Sequence, residues 1–297
     1  MIAIDLGSNS LRMIQRDCDT KAFVNEYEKI VKTAEELHSH KRISDAAVQR
    51  ILDGFKEASA LFDFKKEACV AVTTEALRRA DNSAEVIEKI YKQTGVRFEV
   101  IGANKEAELT LIAVDQRLEN LGFRGSFLLV DIGGGSTEVI FKKGNLSESK
   151  SFPVGIVTMA SKYPSREAIM KGLESELQEI RAYALEYYER EGKPDFFVAT
   201  AGTPTTIAAF LQGMKYDDYD AQRINGSTLN YFDCTKALDE LLALSFEQRA
   251  SYVGVGREEL IISGVMIYAG FFRLLGFEDS VIIDDGLREG LAISECQ

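Results

Sequence analysis

Ile2-Ala-Ile-Asp5-Leu-Gly7-Ser8-Asn9-Ser10 returns later in the chain as Leu128-Leu-Val-Asp131-Ile-Gly133-Gly134-Gly135-Ser136. The paired Asp and the closing Ser are each 126 positions apart (131 − 5 and 136 − 10), so the copies are in register. Each copy is an apolar run, an Asp, a turn rich in Gly, Ser or Asn, and a second apolar run (Leu11 to Ile14; Val139 to Phe141). That pattern predicts two strand-turn-strand units opening two halves of one duplicated chain. Glycines let backbone N–H groups approach phosphate oxygens, and small hydroxyl or amide side chains add donors. An Asp at the strand end is suited to holding a cation over the same phosphate.

The duplication extends outward. Ala68 to Val72 and Phe196 to Ala199 read as buried strands ending 127 positions apart, each running into a Thr- or Gly-rich strand end. Helices are expected over Ser44 to Leu61, with Ser44 as N-cap, and over Ala84 to Thr94 and Lys105 to Gln116. Further helices are expected around 165–191, 234–243, 246–250 and 257–275, and strands at Phe98 to Ile101, 127–131, 137–142, 147–152 and Ser280 to Ile283. The order predicts an α/β protein of two domains, 1–117 and 118–297, each a mixed sheet flanked by helices, with a cleft between them. The last helix, about 286–297, is placed to pack back on the first domain. Met266, Tyr268, Phe271 and Phe272 form an apolar helical face suited to a core or a dimer contact, so a homodimer is an open expectation.

Composition excludes several classes. The chain has 297 residues, 45% of them hydrophobic, and a net charge of −12. That charge argues against a nucleic-acid partner, whose phosphates call for clustered Lys and Arg. It leaves room for a small polyanion, because local cations, helix N-termini and a divalent metal reverse the field within one site. The longest apolar stretch, Leu260 to Phe272, is too short to span a bilayer, and the N-terminus lacks a signal-peptide pattern. A cytoplasmic protein with no membrane partner is therefore expected. Cys18, Cys69, Cys234 and Cys296 show no paired spacing, so a disulfide framework is not expected. His38 and His40 have no third ligand at metal spacing and are expected on a loop surface.

Five motifs carry a resemblance. Ile4 to Ser10, Thr73-Thr-Glu-Ala-Leu-Arg78-Arg-Ala-Asp-Asn82, Ile101-Gly-Ala-Asn-Lys105-Glu106-Ala107, Val130-Asp-Ile-Gly-Gly-Gly-Ser-Thr-Glu138 and Asp285-Gly-Leu-Arg288-Glu-Gly290 come in one order across nearly the whole chain. Together they resemble the exopolyphosphatase/guanosine pentaphosphate phosphatase family. That family lies within the actin-like ATPase superfamily, whose two domains have ribonuclease H-like folds. The resemblance implies Mg²⁺-dependent hydrolysis of a terminal phosphoryl group. It implies Glu106 as the carboxylate that activates water and Asp131 with Glu138 as the metal carboxylates. Phosphate contacts fall to Arg78, Asp5, Gly7, Ser8, Asn9, Ser10, Gly133, Gly134, Gly135, Ser136, Gly202 and Thr203. Asn82 and Arg288 match motif positions that capping or interdomain pairing explains as well.

Two departures bear on substrate. Family members usually carry two consecutive Glu where this chain has Lys105-Glu106, and an Arg-Leu-Gly stretch near Lys32 to His38 is missing. The chain stops after the second actin-like domain, from which short polyphosphates are the expected substrate. Guanosine pentaphosphate (pppGpp) is the alternative, and a silent nucleotide or polyphosphate sensor is the alternative outside enzymes.

Overall fold

A computed structural model describes residues 1–296, with the side chain of His38 outside the description. The chain divides into two compact units: Met1–Val114 joined by the segment from Asp285 on, and Asp115–Asp284. Sequence placed the boundary at 117, whereas the units part inside one helix.

The first unit contains strands β1 (Ile2–Leu6), β2 (Ser10–Arg16), β3 (Phe23–Ile30), β4 (Cys69–Thr73) and β5 (Phe98–Val100). Its helices are α1 (Leu37–His40), α2 (Asp45–Ala58), α3 (Glu75–Arg79), α4 (Ser83–Thr94) and the start of α5 (Ala103–Asn120). The sheet order is β3-β2-β1-β4-β5, antiparallel among the first three and parallel from β1 onward. Ser44 caps α2 as expected, its hydroxyl accepting from the Ala47 N–H at 3.2 Å. The buried face of α2, including Val48, Ile51 and Phe55, joins Ile2, Ile4 and Leu6 of β1 in one core.

In the second unit the strands are β6 (Phe127–Ile132), β7 (Thr137–Lys143), β8 (Leu146–Phe152), β9 (Phe196–Thr200), β10 (Thr228–Asn230) and β11 (Asp279–Ile282). Between β8 and β9 come α6 (Ile156–Lys162), α7 (Arg166–Glu176) and α8 (Gln178–Glu191). After β9 come α9 (Gly202–Leu211), α10 (Ala221–Ile224), α11 (Tyr231–Ala243), α12 (Phe246–Val253) and α13 (Leu260–Leu275). Its sheet, β8-β7-β6-β9-β11-β10, repeats the first order and adds the antiparallel edge strand β10. The duplication inferred from nine residues thus holds for five strands in each unit. Tyr268, Phe271 and Phe272 of α13 are buried against Phe197 of β9, so that face is core. No helix among the described residues is long and apolar enough to cross a membrane.

The last helix, α14 (Leu287–Glu295), packs on β1 and β2 of the first unit. Leu287, Leu291 and Ala292 close a small core with Ala3, Ile14, Val72 and Leu109. This return explains a correction. Cys18, just after β2, and Cys296, just after α14, form a disulfide across 278 positions, which no local spacing could reveal. Burial, helped by the Glu67 charge, pushes the Cys69 thiol up to about 12, and burial raises Cys234 too. The oxidised protein is therefore expected to react slowly with Ellman's reagent at pH 8. A dithiol reductant should expose two fast thiols and lower the Tm, since opening a loop of 278 positions removes up to about 6 kcal/mol of constraint in the chain-entropy model. An unchanged Tm would show that α14 is held by packing alone.

Candidate functional site

In the first unit, Asp5 lies near the carboxyl end of β1, in register with Val72 of β4 and Arg12 of β2. The turn that follows is closed by the Gly7 N–H donating to the Ser10 carbonyl at 3.0 Å. Ser8 and Asn9 are buried, and a strap secures their carbonyls. Asn9 accepts from the Val31 and Lys32 N–H groups and Ser8 from Ala34, each at 2.9 Å. Lys32 takes a left-handed φ of 48° to make this strap. The turn is a fixed loop, as a preorganised oxyanion cradle requires.

Arg78 and Glu106 meet at the ends of β4 and β5. Arg78 sits on the short α3 and Glu106 in the first turn of α5, where the helix dipole favours a carboxylate. One Arg78 nitrogen donates to the Ile101 carbonyl at 2.8 Å and to Glu106 Oε2 at 3.2 Å, and another to Glu75 Oε2 at 2.9 Å. Burial pulls the Arg78 pKa down, but the bonds and charges of Glu75 and Glu106 outweigh it and leave the guanidinium raised. Lys105 turns aside to Glu108 at 3.0 Å. Asn82 is structural: its buried amide exchanges 2.9 Å bonds with the Ile43 backbone and does not cap α4. Arg288 pairs with Glu289 and, at 3.1 Å, with Glu26, all within this unit.

The second unit repeats the turn. The Gly133 N–H donates to the Ser136 carbonyl at 2.9 Å, the counterpart of the Gly7 bond 126 positions earlier. Here the strap runs from Gly155 into α6, with the Ile156 N–H on the Gly133 carbonyl and the Val157 N–H on that of Gly134, at 3.0 and 2.8 Å. A Cβ on Gly155 would stand 2.5 Å from the Gly134 carbonyl oxygen, so only glycine permits this approach. Asp131 faces Glu138 across β6 and β7. Glu138 is 2% exposed, and one carboxylate oxygen accepts from the hydroxyls of Ser136 and Ser151 at 2.8 and 2.7 Å. Two carboxylates facing each other across strands offer the oxygen donors that a hard divalent cation takes.

Gly202 and Thr203 open helix α9, not the strand end expected from their composition. The preceding Ala201 has φ 72° and ψ −178°, a conformation nearly confined to glycine, and it turns the chain sharply from β9 into the helix. The Arg257 guanidinium lies 3.6 Å from where a Cβ on Gly202 would stand.

Sequence reasoning missed Arg257, which has no repeat partner to flag it. It also missed Arg12, although the offset was available: 12 + 126 = 138 makes Arg12 the twin of Glu138. The twins carry opposite charges, so the first unit opposes Asp5 with a cation and the second opposes Asp131 with a carboxylate. In both units the chemistry gathers at the carboxyl ends of the parallel strands, where open α/β sheets bind ligands.

A model of the Ppx/GppA phosphatase family matches residues 14–297. The chain belongs to that family. Exopolyphosphatase 1 of Mycobacterium leprae is 27% identical over 98% of this chain and 87% of its own length. A bifunctional 3-dehydroquinate synthase/phosphatase of Fusobacterium nucleatum is 26% identical over 95% of this chain, which spans only 44% of that longer protein. The solved Ppx/GppA family member of Aquifex aeolicus covers 99% of this chain and 96% of its own, with a TM-score of 0.74 and 29% identity. Membership makes the chain a phosphoanhydride hydrolase; which phosphoanhydride it takes is a separate question.

Proposed function

We propose that the protein removes the terminal phosphoryl group of inorganic polyphosphate and releases phosphate with the help of Mg²⁺. The duplicated turn carries this reading: in each unit a glycine loop, closed by the same backbone bond and strapped from outside, suits the anionic oxygens of a phosphate group. Phosphoryl transfer needs positioning and charge neutralisation more than covalent help. Glu106, oriented by Arg78, takes the proton of the attacking water. The Gly7 to Ser10 and Gly133 to Ser136 loops, with the Gly202–Thr203 end of α9, hold phosphate oxygens.

Asp131 and Glu138 fit a hard divalent cation because they offer only oxygen donors. Among the described residues no cluster of three His, Cys, Asp or Glu stands ready for a metal. Mg²⁺ is commonly held by one or two carboxylates plus substrate phosphates, and it would draw charge from the transferring group. Glu138→Gln is expected to raise the Mg²⁺ concentration for half-maximal rate at least about 10-fold, comparable to losing a ligand's supporting partner. An unshifted Mg²⁺ titration would remove Glu138 from the metal role.

The deciding experiment is phosphate release from polyphosphates of increasing length and from pppGpp, with and without Mg²⁺. Faster release from pppGpp would replace polyphosphate as the substrate. Binding without release from any of them would make the protein a sensor.

A further inference from the structure

Away from both turns, the second unit carries a groove of about 850 Å³. Helix α13 forms its floor, with α7 packed along one side and α11 along the other. The lining is mixed: Leu173, Leu177, Leu238, Val265, Met266 and Leu274 supply its apolar part, and charged and polar side chains supply the rest. One end is closed by an ion pair between Arg166 of α7 and Asp239 of α11 at 3.1 Å. At the other end Arg273 donates to the Tyr231 hydroxyl at 2.7 Å and lies 4.3 Å over its ring.

Two features identify what the groove fits. The first is charge: with Arg166 paired to Asp239, its lining still includes Lys171, Arg181 and Arg273 against a single carboxylate, Glu174, in a chain whose acids outnumber its bases 47 to 35. The second is exposed apolar surface. Met170, in the lining, is 64% exposed, and Phe232, in ring contact with the lining residue Tyr231, is 77% exposed. A small ligand seated in the trough would leave Phe232 uncovered, whereas a macromolecular partner would cover both. Val265 and Leu274 are nine residues apart on one helix, so the floor is about 13 Å long. That length matches the apolar anchors at i, i+3 or i+4, and i+7 of a helix laid into a groove.

We propose that this groove docks an acidic amphipathic helix of a partner protein. The partner's apolar stripe enters between α7 and α11, and Met170 and Phe232 close over its flanks. Its carboxylates face Lys171, Arg181 and Arg273. A nucleic acid fits poorly, because the chain carries a net −12.

The test uses the whole protein and a set of fluorescent synthetic helices of about four turns. The set has Leu anchors at the three possible spacings on a Glu-rich background, with scrambled and Lys-for-Glu versions as controls. Saturable binding of at least one acidic amphipathic helix, and of neither control, is expected. Met170→Glu and Arg181→Glu, both surface changes outside the phosphate-binding residues, should each weaken it about 10-fold, as loss of an interface anchor does. Phosphate release should stay unchanged in both variants. Absence of saturable binding, equal binding of the controls, or indifference to both substitutions would overturn the proposal. It would also fall if Met170→Glu abolished a dimer seen by sedimentation, or abolished binding to phosphatidylserine vesicles. Those outcomes would assign the face to a second copy or to a membrane.

Discussion

Glu106→Gln is expected to lower phosphate release by about 10²- to 10⁴-fold, the usual contribution of a positioned general base. The substitution is close to isosteric, and the amide oxygen can still accept from Arg78, which now stands 3.2 Å from the carboxylate. Glu106 is also largely shielded, its side chain 12% exposed, so little new surface chemistry intrudes. The far-ultraviolet circular dichroism and the Tm should therefore match the wild type while turnover collapses. The Arg78 arrangement adds a second expectation. Because Arg78 is anchored to the Ile101 carbonyl and to Glu75 as well as Glu106, Arg78→Lys keeps the charge but loses the planar fork that joins the three. Its turnover should fall while the fold persists. Wild-type turnover in Glu106→Gln would show that another group accepts the proton.

Gly290→Ala is expected to be the most damaging single methyl in the chain. A Cβ there would stand 1.8 Å from the carbonyl oxygen of Leu109 and 2.5 Å from its carbon, and the obstacle is the backbone of α5, which cannot rotate away. Helix α14 must retreat, and Leu287, Leu291 and Ala292 leave the small core they complete with Ala3, Ile14 and Leu109. Losing even two buried leucines costs about 4 kcal/mol, or roughly 15 °C in the Tm of a unit this size. A calorimetric scan that superimposes on the wild type would refute the tight crossing of α5 and α14.

Much of the fold was legible because the duplicated strands are apolar runs bounded by glycine turns, a pattern that burial on both faces imposes. What escaped did so for identifiable reasons. Strand β3, Phe-Val-Asn-Glu-Tyr-Glu-Lys-Ile, lies at the sheet edge, half exposed, and carries the charges of an edge strand in place of an apolar run. Helix α9 opens Gly-Thr-Pro-Thr-Thr, a composition that reads as strand or turn. Yet Pro204 falls in the first helical turn, where its missing N–H costs nothing.

The site was legible as a set of residues, but its pairings were not. Arg78 and Glu106 are separated by 28 positions and meet only because β4 and β5 are neighbours. The Glu138 carboxylate owes two of its hydrogen bonds to Ser136 and Ser151, and Ser151 enters only through the register of β7 with β8. The Cys18–Cys296 bond depends on the return of α14, a tertiary event that leaves no mark on cysteine spacing.

That return also sets an order of assembly on the ribosome. Residues 115–284 form a contiguous unit that has its whole sequence before α14 is made, whereas the unit begun at Met1 needs the segment from Asp285 on to close the apolar side of β1 and β2. The usual order, in which the N-terminal domain matures first, is thereby reversed for this pair of units. A nascent chain halted before Leu287 leaves Ala3, Ile14 and Val72 without the side chains that cover them in the folded protein.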